Sequence, residues 1–401
     1  MTTSYPMRTW VGLGVLCLAA GTMVLNNAAL SPLLRAIGAE FGTSDATTGQ
    51  LATAGSLFGV VAALAATPWM DRWSRAAWLR LLGTLVLAGV ILSALAPSFE
   101  WLLVGRVITA ASGSVIMANA MTGARDLFDD PVWRNRAIGL IVTATSVAFT
   151  FGLPLLTQLA ARFGWRTALG SIVIPALILL AGTFALPSRP AARPAPAASH
   201  PLAAFRSVLG DGRTRALLIV LGLNVGSYTG WLVFVGAYVT EVFAASAVTL
   251  SALFFFGGVS QIPINNLAPP LVRRFGAIRM LYAMLALIGA SLLLTGIVIT
   301  AIPAVFVAAM VLLNSSAIAY IAGSGLLLDG EVSHPGATMS LSSATIGFGN
   351  ALGPLITGWA LAFSGSFEVA YRVLGLFAPV AMLALWIGTR QRLPAVAIER
   401  A

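Results

Sequence analysis

The sequence predicts an all-α membrane protein with twelve transmembrane helices, arranged as two six-helix pseudo-repeats with both termini in the cytoplasm. Three observations predict this fold: the composition, a series of long apolar stretches, and the distribution of arginine. Of the 401 residues, 58% are hydrophobic and only 9% are charged, whereas soluble proteins carry about 25% charged residues. Because so few charged side chains cannot cover a water-soluble fold of this size, lipid must surround most of the chain.

Twelve apolar stretches are each long enough to cross a bilayer, since about 20 helical residues span its hydrocarbon core. Helices are expected because lipid offers no hydrogen-bond partners, so every backbone polar group must be satisfied within its own segment. In chain order, the predicted spans one to twelve are 10–34, 47–70, 78–97, 99–124, 136–160, 166–186, 215–240, 248–271, 277–300, 302–328, 337–363 and 369–389.

The formal net charge of +10 would suit a nucleic-acid binder if the basic residues formed one exposed patch. Instead, most of the 23 basic residues, all of them arginine, fall in loops on one side of the predicted spans. Cytoplasmic loops are enriched in arginine and lysine, so that side is predicted to face the cytoplasm. We therefore expect a monomeric protein of the bacterial inner membrane whose surroundings are the lipid bilayer, with no nucleic-acid partner.

A Pro/Ala/Arg-rich stretch separates the first six spans from the last six. Such a composition cannot continue a helix and predicts an extended cytoplasmic linker. The chain is accordingly divided into an N-terminal half (1–186), a linker (187–214) and a C-terminal half (215–401). The halves also resemble each other at an offset of about 200 residues, and two similar halves are what an alternating-access transporter needs.

Three stretches carry a resemblance to a known family. Asp71, Arg72 and Arg75 follow span two, where they resemble the loop signature of the major facilitator superfamily. The residues around Arg106 resemble the fourth-helix signature of that superfamily. The stretch 134–166 resembles the fifth-helix region of its twelve-span drug/proton antiporter branch, which includes sugar- and nucleoside-efflux-like members. The resemblance covers essentially the whole chain and implies a transporter in which Asp71, Arg72 and Arg75 stabilise the outward-facing state.

Arg106 is the arginine predicted to lie deepest in a span, since the others fall in loops or within about four residues of a span end. An arginine at the centre of a membrane helix costs about 2.5 kcal/mol or more, so it normally faces a cavity and has a partner. The spans offer no carboxylate at a comparable depth. The expected partners are therefore neutral groups such as Asn26 or Asn27, backbone carbonyls, or a bound anion. Two kinds of role stay open for Arg106. The first is functional, either substrate contact or proton-linked gating, and the second is structural, the clamping of helix ends.

The shortage of buried acidic residues also bears on energy coupling. Proton-coupled carriers usually need a membrane-embedded aspartate or glutamate, and Glu241 and Asp329 are the nearest to the core here. Proton antiport is thus implied by the family resemblance alone, while facilitated efflux or coupling through Asp71 or Glu241 stays open. The chain has one cysteine, in span one, and two histidines, both outside the spans. Because so few side chains could bind a metal, we expect neither a metal site nor another cofactor.

Spans five and eleven carry small residues followed by proline, at corresponding positions of the two halves. The pairs are Gly152 with Pro154 and Gly353 with Pro354. Small residues spaced four apart allow helices to approach closely, and proline removes a backbone donor and kinks a helix. We therefore predict a gating role for these four residues.

Polar and aromatic side chains near mid-span are the candidate substrate contacts. Asn224, Tyr228 and Trp231 are spaced i, i+4 and i+7, so they share one face of span seven. The remaining candidates, from spans one, four, eight and ten, are Asn26, Asn27, Asn119, Gln261, Asn265, Asn314 and Tyr320. For each of these, an interhelical hydrogen bond is the competing role.

The sequence therefore predicts a carrier that exports a small organic molecule, either drug-like or a metabolite, by alternating access, with protons as the candidate coupling ion. The alternative is an uptake carrier or uniporter of the same fold for a small metabolite or an organic anion. An intramembrane enzyme is not expected, because the predicted spans lack the Ser–His pair, paired aspartates or metal ligands that such an enzyme needs.

Overall fold

The computed structural model describes residues 5–66, 73–186, 201–328 and 335–390, and these are almost entirely helical. Asp71, Arg72, Asp329 and most of the predicted linker, 187–200, lie outside the described residues. The N-terminal half contains α1 (Met7–Ala28), α2 (Leu30–Phe41), α3 (Asp45–Ala66), α4 (Arg75–Ala94), α5 (Phe99–Leu127), α6 (Pro131–Val147), a π-helical turn (Ala148–Gly152), α7 (Leu153–Phe163), α8 (Trp165–Gly170), α9 (Val173–Gly182) and a 3₁₀ turn (Thr183–Ala185).

The C-terminal half begins with a helix that occupies the later part of the predicted linker. Its helices are α10 (Pro201–Gly210), α11 (Gly212–Val242), α12 (Ala247–Phe275), α13 (Ala277–Leu293), α14 (Ile302–Leu328), α15 (Pro335–Ser364), α16 (Phe367–Gly375) and α17 (Phe377–Arg390). Short polar side chains begin several of these helices: the Asp211 carboxylate, for example, accepts a hydrogen bond from the Thr214 backbone N–H at 2.9 Å. Such N-caps satisfy backbone donors that the first turn leaves unpaired.

Over the described residues, eleven helices or helix runs are long and apolar enough to cross a membrane. They correspond to all predicted spans except the ninth, whose helix α13 has 17 residues. Helix α13 follows the end of α12 after a bend of 118°. The bend falls at Gly276, which has φ +85°, a conformation that residues with a Cβ rarely adopt. Counting this bent pair as a span gives twelve.

Glycine determines how closely α11 and α15 pack within the C-terminal half. A Cβ atom at Gly353 would overlap the carbonyl oxygen of Gly226, and one at Gly349 would overlap that of Gly222. The small residues of span eleven therefore permit backbone-to-backbone contact. In span five, a Cβ at Gly152 would instead meet the Leu25 side chain of α1.

The two prolines predicted to kink their helices have different surroundings. Pro154 follows directly on the π-helical turn, where the α-helical hydrogen-bond pattern of span five is interrupted. Pro354 lies inside α15, which is one helix from residue 335 to residue 364. The predicted interruption therefore occurs in span five, and α15 continues through its proline.

The two halves contact each other near the helix ends on the arginine-poor side. The Gln50 side-chain amide of α3 donates to the Pro354 carbonyl of α15 at 3.5 Å. The Gln158 amide of α7 donates to the Ser251 hydroxyl of α12 at 2.9 Å. A Cβ at Gly236 of α11 would overlap the backbone at Ser31 of α2. These three contacts join the halves at the same end of the bundle.

Candidate functional site

The clearest polar site inside the bundle is the contact between Arg106 of α5 and Asn26 of α1. The Nη1 of Arg106 donates to the side-chain oxygen of Asn26 at 3.1 Å, and its Nη2 donates to the Asn26 backbone carbonyl at 3.0 Å. Both residues are buried, with exposures of 7% and 1%. The partner of the guanidinium is therefore a neutral residue. The sequence predicts such a partner because it has no carboxylate at this depth.

This contact leaves hydrogen-bonding capacity unused. A guanidinium has five N–H donors, and the two bonds to Asn26 engage two of them. The Asn26 amide nitrogen and the Thr22 hydroxyl one turn away are buried, and neither has a partner within the described parts of the chain. Buried polar groups are normally paired with protein or water, so the unpaired groups of this site are candidates for hydrogen bonds with water or a ligand.

The other two N-terminal candidates are not part of this site. Asn27 is exposed, and the hydrogen bonds of Arg106 go to Asn26 instead. Asn119 lies 13 residues further along α5, or about 20 Å at 1.5 Å per residue. There its side-chain oxygen accepts a hydrogen bond from Arg75 at 3.4 Å, and its amide donates to the Val115 carbonyl at 3.0 Å. Asn119 thus belongs to the arginine-rich end of the helix.

Arg75 of the predicted gating set connects two helices of the same half. Its Nε lies 2.9 Å from the Asp126 carboxylate, at the end of α5. Together with the Asn119 bond, this pair ties the start of α4 to the end of α5. Arg75 is therefore placed at the arginine-rich ends of the helices, where the family resemblance implies a gating cluster.

In the C-terminal half, three predicted substrate contacts form interhelical hydrogen bonds. The Asn224 amide of α11 donates to the Ser316 carbonyl of α14 at 3.1 Å. The Asn314 amide of α14 donates to the Ser260 hydroxyl of α12 at 3.1 Å, and Gln261 donates to the Leu313 carbonyl at 3.4 Å. These bonds hold α14 against α11 and α12.

The remaining candidates of this half have different environments. Trp231 is 7% exposed and packs in the main hydrophobic core, while Tyr228 is partly buried against the same core. Tyr320 is exposed, and the Asn265 side chain lies outside the described part of the structure. The span-seven stripe is thus a mainly buried face with a partly open tyrosine at its middle.

An ion-pair cluster that the sequence did not predict joins the two halves. Arg35 of α2 lies 3.4 Å from the Glu241 carboxylate at the end of α11, and 3.9 Å from the Asp45 carboxylate at the start of α3. Arg35 and Glu241 are each nearly half exposed, so solvent screens the pair and its contribution to stability is small. The feature of the sequence that could have indicated this cluster is Arg35 itself, which lies on the side with few arginines.

A second ion pair on this side lies within the N-terminal half. Arg166 of α8 contacts the Glu40 carboxylate of α2 at 2.6 Å, and the Trp165 indole N–H donates to the same carboxylate. The hydrogen bond from Arg166 is the main reason that the pKa of Glu40 is lowered. This contact connects the end of α2 to the start of span six.

A bundle of long apolar helices with buried polar contacts between them defines the class of polytopic, helical membrane proteins. The chain belongs to the Major Facilitator Superfamily, whose family model matches residues 16–334. The long apolar helices of the described residues are those of a membrane-embedded member of this superfamily.

Two curated relatives are similar to part of the chain. The uncharacterized MFS-type transporter YbcL of Bacillus subtilis is 25% identical over 245 residues, which is 58% of each chain. A probable sugar efflux transporter of Mannheimia succiniciproducens is 28% identical over 266 residues, which cover 65% of this chain and 64% of the relative. The chain thus spans about three fifths of the length of these relatives.

Solved structures of transporters share the fold over nearly the whole chain. A bacterial homologue of the human lysosomal transporter Spinster, inward-facing and unoccupied, has a TM-score of 0.73 at 18% identity and covers 96% of both chains. The nucleoside transporter NupG has a TM-score of 0.76 at 15% identity, over 94% of this chain and 99% of its own. At these identities the likeness concerns the fold alone.

Proposed function

We propose that the protein exports a small organic molecule across the bacterial inner membrane by alternating access. The observation that carries this proposal is the buried Arg106–Asn26 pair, which holds an ionised side chain with unused donors among the helices. Intramembrane ionisable groups typically mark a substrate or ion pathway. The similarity to a probable sugar efflux transporter supports export as the direction.

The proposed topology follows the charge distribution. Twelve spans form an N-terminal half (1–186) and a C-terminal half (215–401), joined by the segment 187–214, with both termini in the cytoplasm. The arginine-rich loops then lie in the cytoplasm, as the positive-inside rule requires. The protein functions as a monomer.

The contacts between the halves act as an outer gate. Arg35 with Glu241, Gln50 with the Pro354 carbonyl, and Gln158 with Ser251 all lie near the arginine-poor helix ends. In the proposed topology these ends face the periplasm, so the site is closed on that side and loads from the cytoplasm. Export then requires these contacts to separate and the cytoplasmic ends to close.

The chemistry of the site favours a polar substrate that is neutral or weakly anionic. Arg106 supplies N–H donors to hydroxyl or carboxylate oxygens, while the Asn26 amide and the Thr22 hydroxyl, which lack partners among the described residues, supply neutral hydrogen-bonding groups. A sugar, a nucleoside or a metabolite with one acidic group meets these requirements. A cation is disfavoured, because Arg106 would repel it and no carboxylate at that depth in the described chain would offset the repulsion.

Protons are the proposed coupling ion, and the outer ion-pair cluster is the proposed site of protonation. Asp45 and Glu241 share Arg35 across the two halves. A proton taken up from the periplasm by either carboxylate weakens this cluster and so favours opening of the outer gate. Coupling to protons therefore does not require a carboxylate beside Arg106.

The direction of transport can be tested with oriented membrane vesicles that contain the protein. We expect inverted vesicles to accumulate a panel of radiolabelled sugars and nucleosides selectively, with faster accumulation when a proton gradient is imposed. Vesicles without the protein are the control. Protein-dependent accumulation in right-side-out vesicles alone would contradict export and would support the uptake carrier of the same fold.

A further inference from the structure

An apolar cleft of about 690 Å³ lies between α1 and α6, with Pro175 of α9 at its side. Its volume falls in the range of about 300–1,000 Å³ that is typical of ligand pockets. The lining is almost wholly apolar, and it includes Gly14 and Cys17 of α1 and Leu140 and Val147 of α6. The cleft borders the Arg106–Asn26 site, since Thr22 of α1 lines it, but neither Arg106 nor Asn26 is among its lining residues.

The cleft opens toward the bilayer. Leu140 and Val147 line it and are exposed, and Phe151 and Leu155 continue as exposed apolar residues beyond the π-helical turn. These residues remain exposed up to the part of span five where Gln158 contacts Ser251 of the other half. An apolar surface that stays exposed along a whole span faces hydrocarbon.

A cation lies at the arginine-rich end of the cleft. Arg136 precedes Leu140 by four residues, so the two share a face of α6, and the Arg136 side chain is exposed. Its guanidinium lies 4.9 Å from the Trp133 ring, which is itself 5.4 Å from the ring of Trp10 at the end of the cleft. Tryptophan concentrates at the membrane–water interface, which is the level of lipid headgroups.

We propose that this cleft binds an anionic phospholipid from the leaflet on the arginine-rich side. One acyl chain occupies the apolar space between α1 and α6, and the phosphate contacts Arg136. Arginine forms charge-assisted hydrogen bonds with phosphate, and Arg136 has no carboxylate partner among the described residues. A neutral lipid with the same acyl chains fits the apolar space equally well but carries no net charge to complement Arg136.

Two variants separate the acyl-chain contact from the phosphate contact. Gly14→Phe fills the cleft, because an added Cβ at Gly14 meets nothing within 4 Å. Arg136→Gln removes the cation and leaves the cleft open. Arg162→Gln is the matched control, since Arg162 is an exposed arginine near the opposite end of the same span.

The test is native mass spectrometry of the purified, monodisperse protein titrated with phosphatidylglycerol or with phosphatidylcholine of the same acyl length. We expect one preferentially bound phosphatidylglycerol in the wild type and in Arg162→Gln. Arg136→Gln should bind it about fivefold more weakly, as expected for one basic residue near an anionic headgroup, and Gly14→Phe should lose it. Equal affinity for the two lipids in the wild type, or full retention of phosphatidylglycerol in Gly14→Phe, would overturn the proposal.

A second measurement uses Cys17, the only cysteine of the chain, which lines the cleft. In nanodiscs, phosphatidylglycerol should slow alkylation of Cys17 by N-ethylmaleimide relative to phosphatidylcholine. The slowing should be lost in Arg136→Gln and kept in Arg162→Gln. Alkylation rates that are the same in both lipids would show that the cleft does not hold the anionic lipid in preference to the neutral one, which would overturn the proposal.

Discussion

Arg106 and Asn26 are joined by two hydrogen bonds between spans four and one, one to the asparagine side chain at 3.1 Å and one to its backbone carbonyl at 3.0 Å. The carbonyl is available because Asn26 lies near the end of α1, which is followed at once by α2. A buried arginine is thus stabilised by dipoles alone. Such a group keeps its charge available for a substrate or an anion, whereas a carboxylate partner would neutralise it.

The first prediction concerns Asn26. Asn26→Ala removes one of the two acceptors of Arg106 and leaves the backbone carbonyl in place. A hydrogen bond to a charged group contributes about 1.5–3 kcal/mol, so we expect a KM for transport that is raised about tenfold or more, with the protein still inserted. Asn27→Ala is the neighbouring control, and an equal effect of both changes would argue against a specific role for Asn26.

The second prediction concerns the outer gate. Charge reversal of Arg35 or of Glu241 should weaken closure of the halves, and the double reversal should restore it, because the pair is re-formed with opposite polarity. Closure can be followed in a Cys17→Ser background by cross-linking cysteines placed at Gln158 and Ser251, whose side chains meet across the halves, with a short bifunctional thiol reagent. Cross-link yields that are unchanged in both single reversals would remove Arg35 and Glu241 from the gate.

The third prediction concerns helix packing in the C-terminal half. Gly353→Ala places a methyl group against the Gly226 carbonyl, and overpacking of this kind costs about 1–3 kcal/mol. We expect a lower thermal unfolding temperature and a loss of transport. Gly139→Ala is the control, because a Cβ there meets nothing within 4 Å, and a Gly353→Ala protein as stable as this control would contradict the close approach.

The fourth prediction concerns the pH dependence of the Glu40–Arg166 contact. Its hydrogen bond with Arg166 lowers the pKa of Glu40 below its ordinary value of 4.5. A lowered pKa means that the stabilisation is complete above that ordinary value and is lost as the pH falls through the lowered one. At pH 7 the free energy of unfolding of the wild type should therefore exceed that of Glu40→Gln by less than about 1 kcal/mol, since the pair is exposed, and the wild type should unfold at a slightly higher temperature. The two unfolding temperatures should converge in strong acid.

The sequence predicted the spans well because membrane helices are defined by local composition. It also predicted a neutral partner for Arg106, since the chain has no acidic residue at that depth, and Asn26 was among the groups expected. The Arg35–Glu241 contact was not predicted, because it joins residues 206 positions apart and depends on how the halves pack. The sequence likewise could not show that Asn224, Asn314 and Gln261 form hydrogen bonds with neighbouring helices. A polar side chain that faces a helix and one that faces a cavity occur at the same spacing along the chain.

The most direct test of the account is substrate accumulation in inverted membrane vesicles with the wild-type protein and with Arg106→Ala, at matched levels of inserted protein. We expect accumulation driven by an imposed proton gradient in the wild type, and none above protein-free vesicles in Arg106→Ala. Wild-type rates in the Arg106→Ala vesicles would contradict the central role given to the buried arginine.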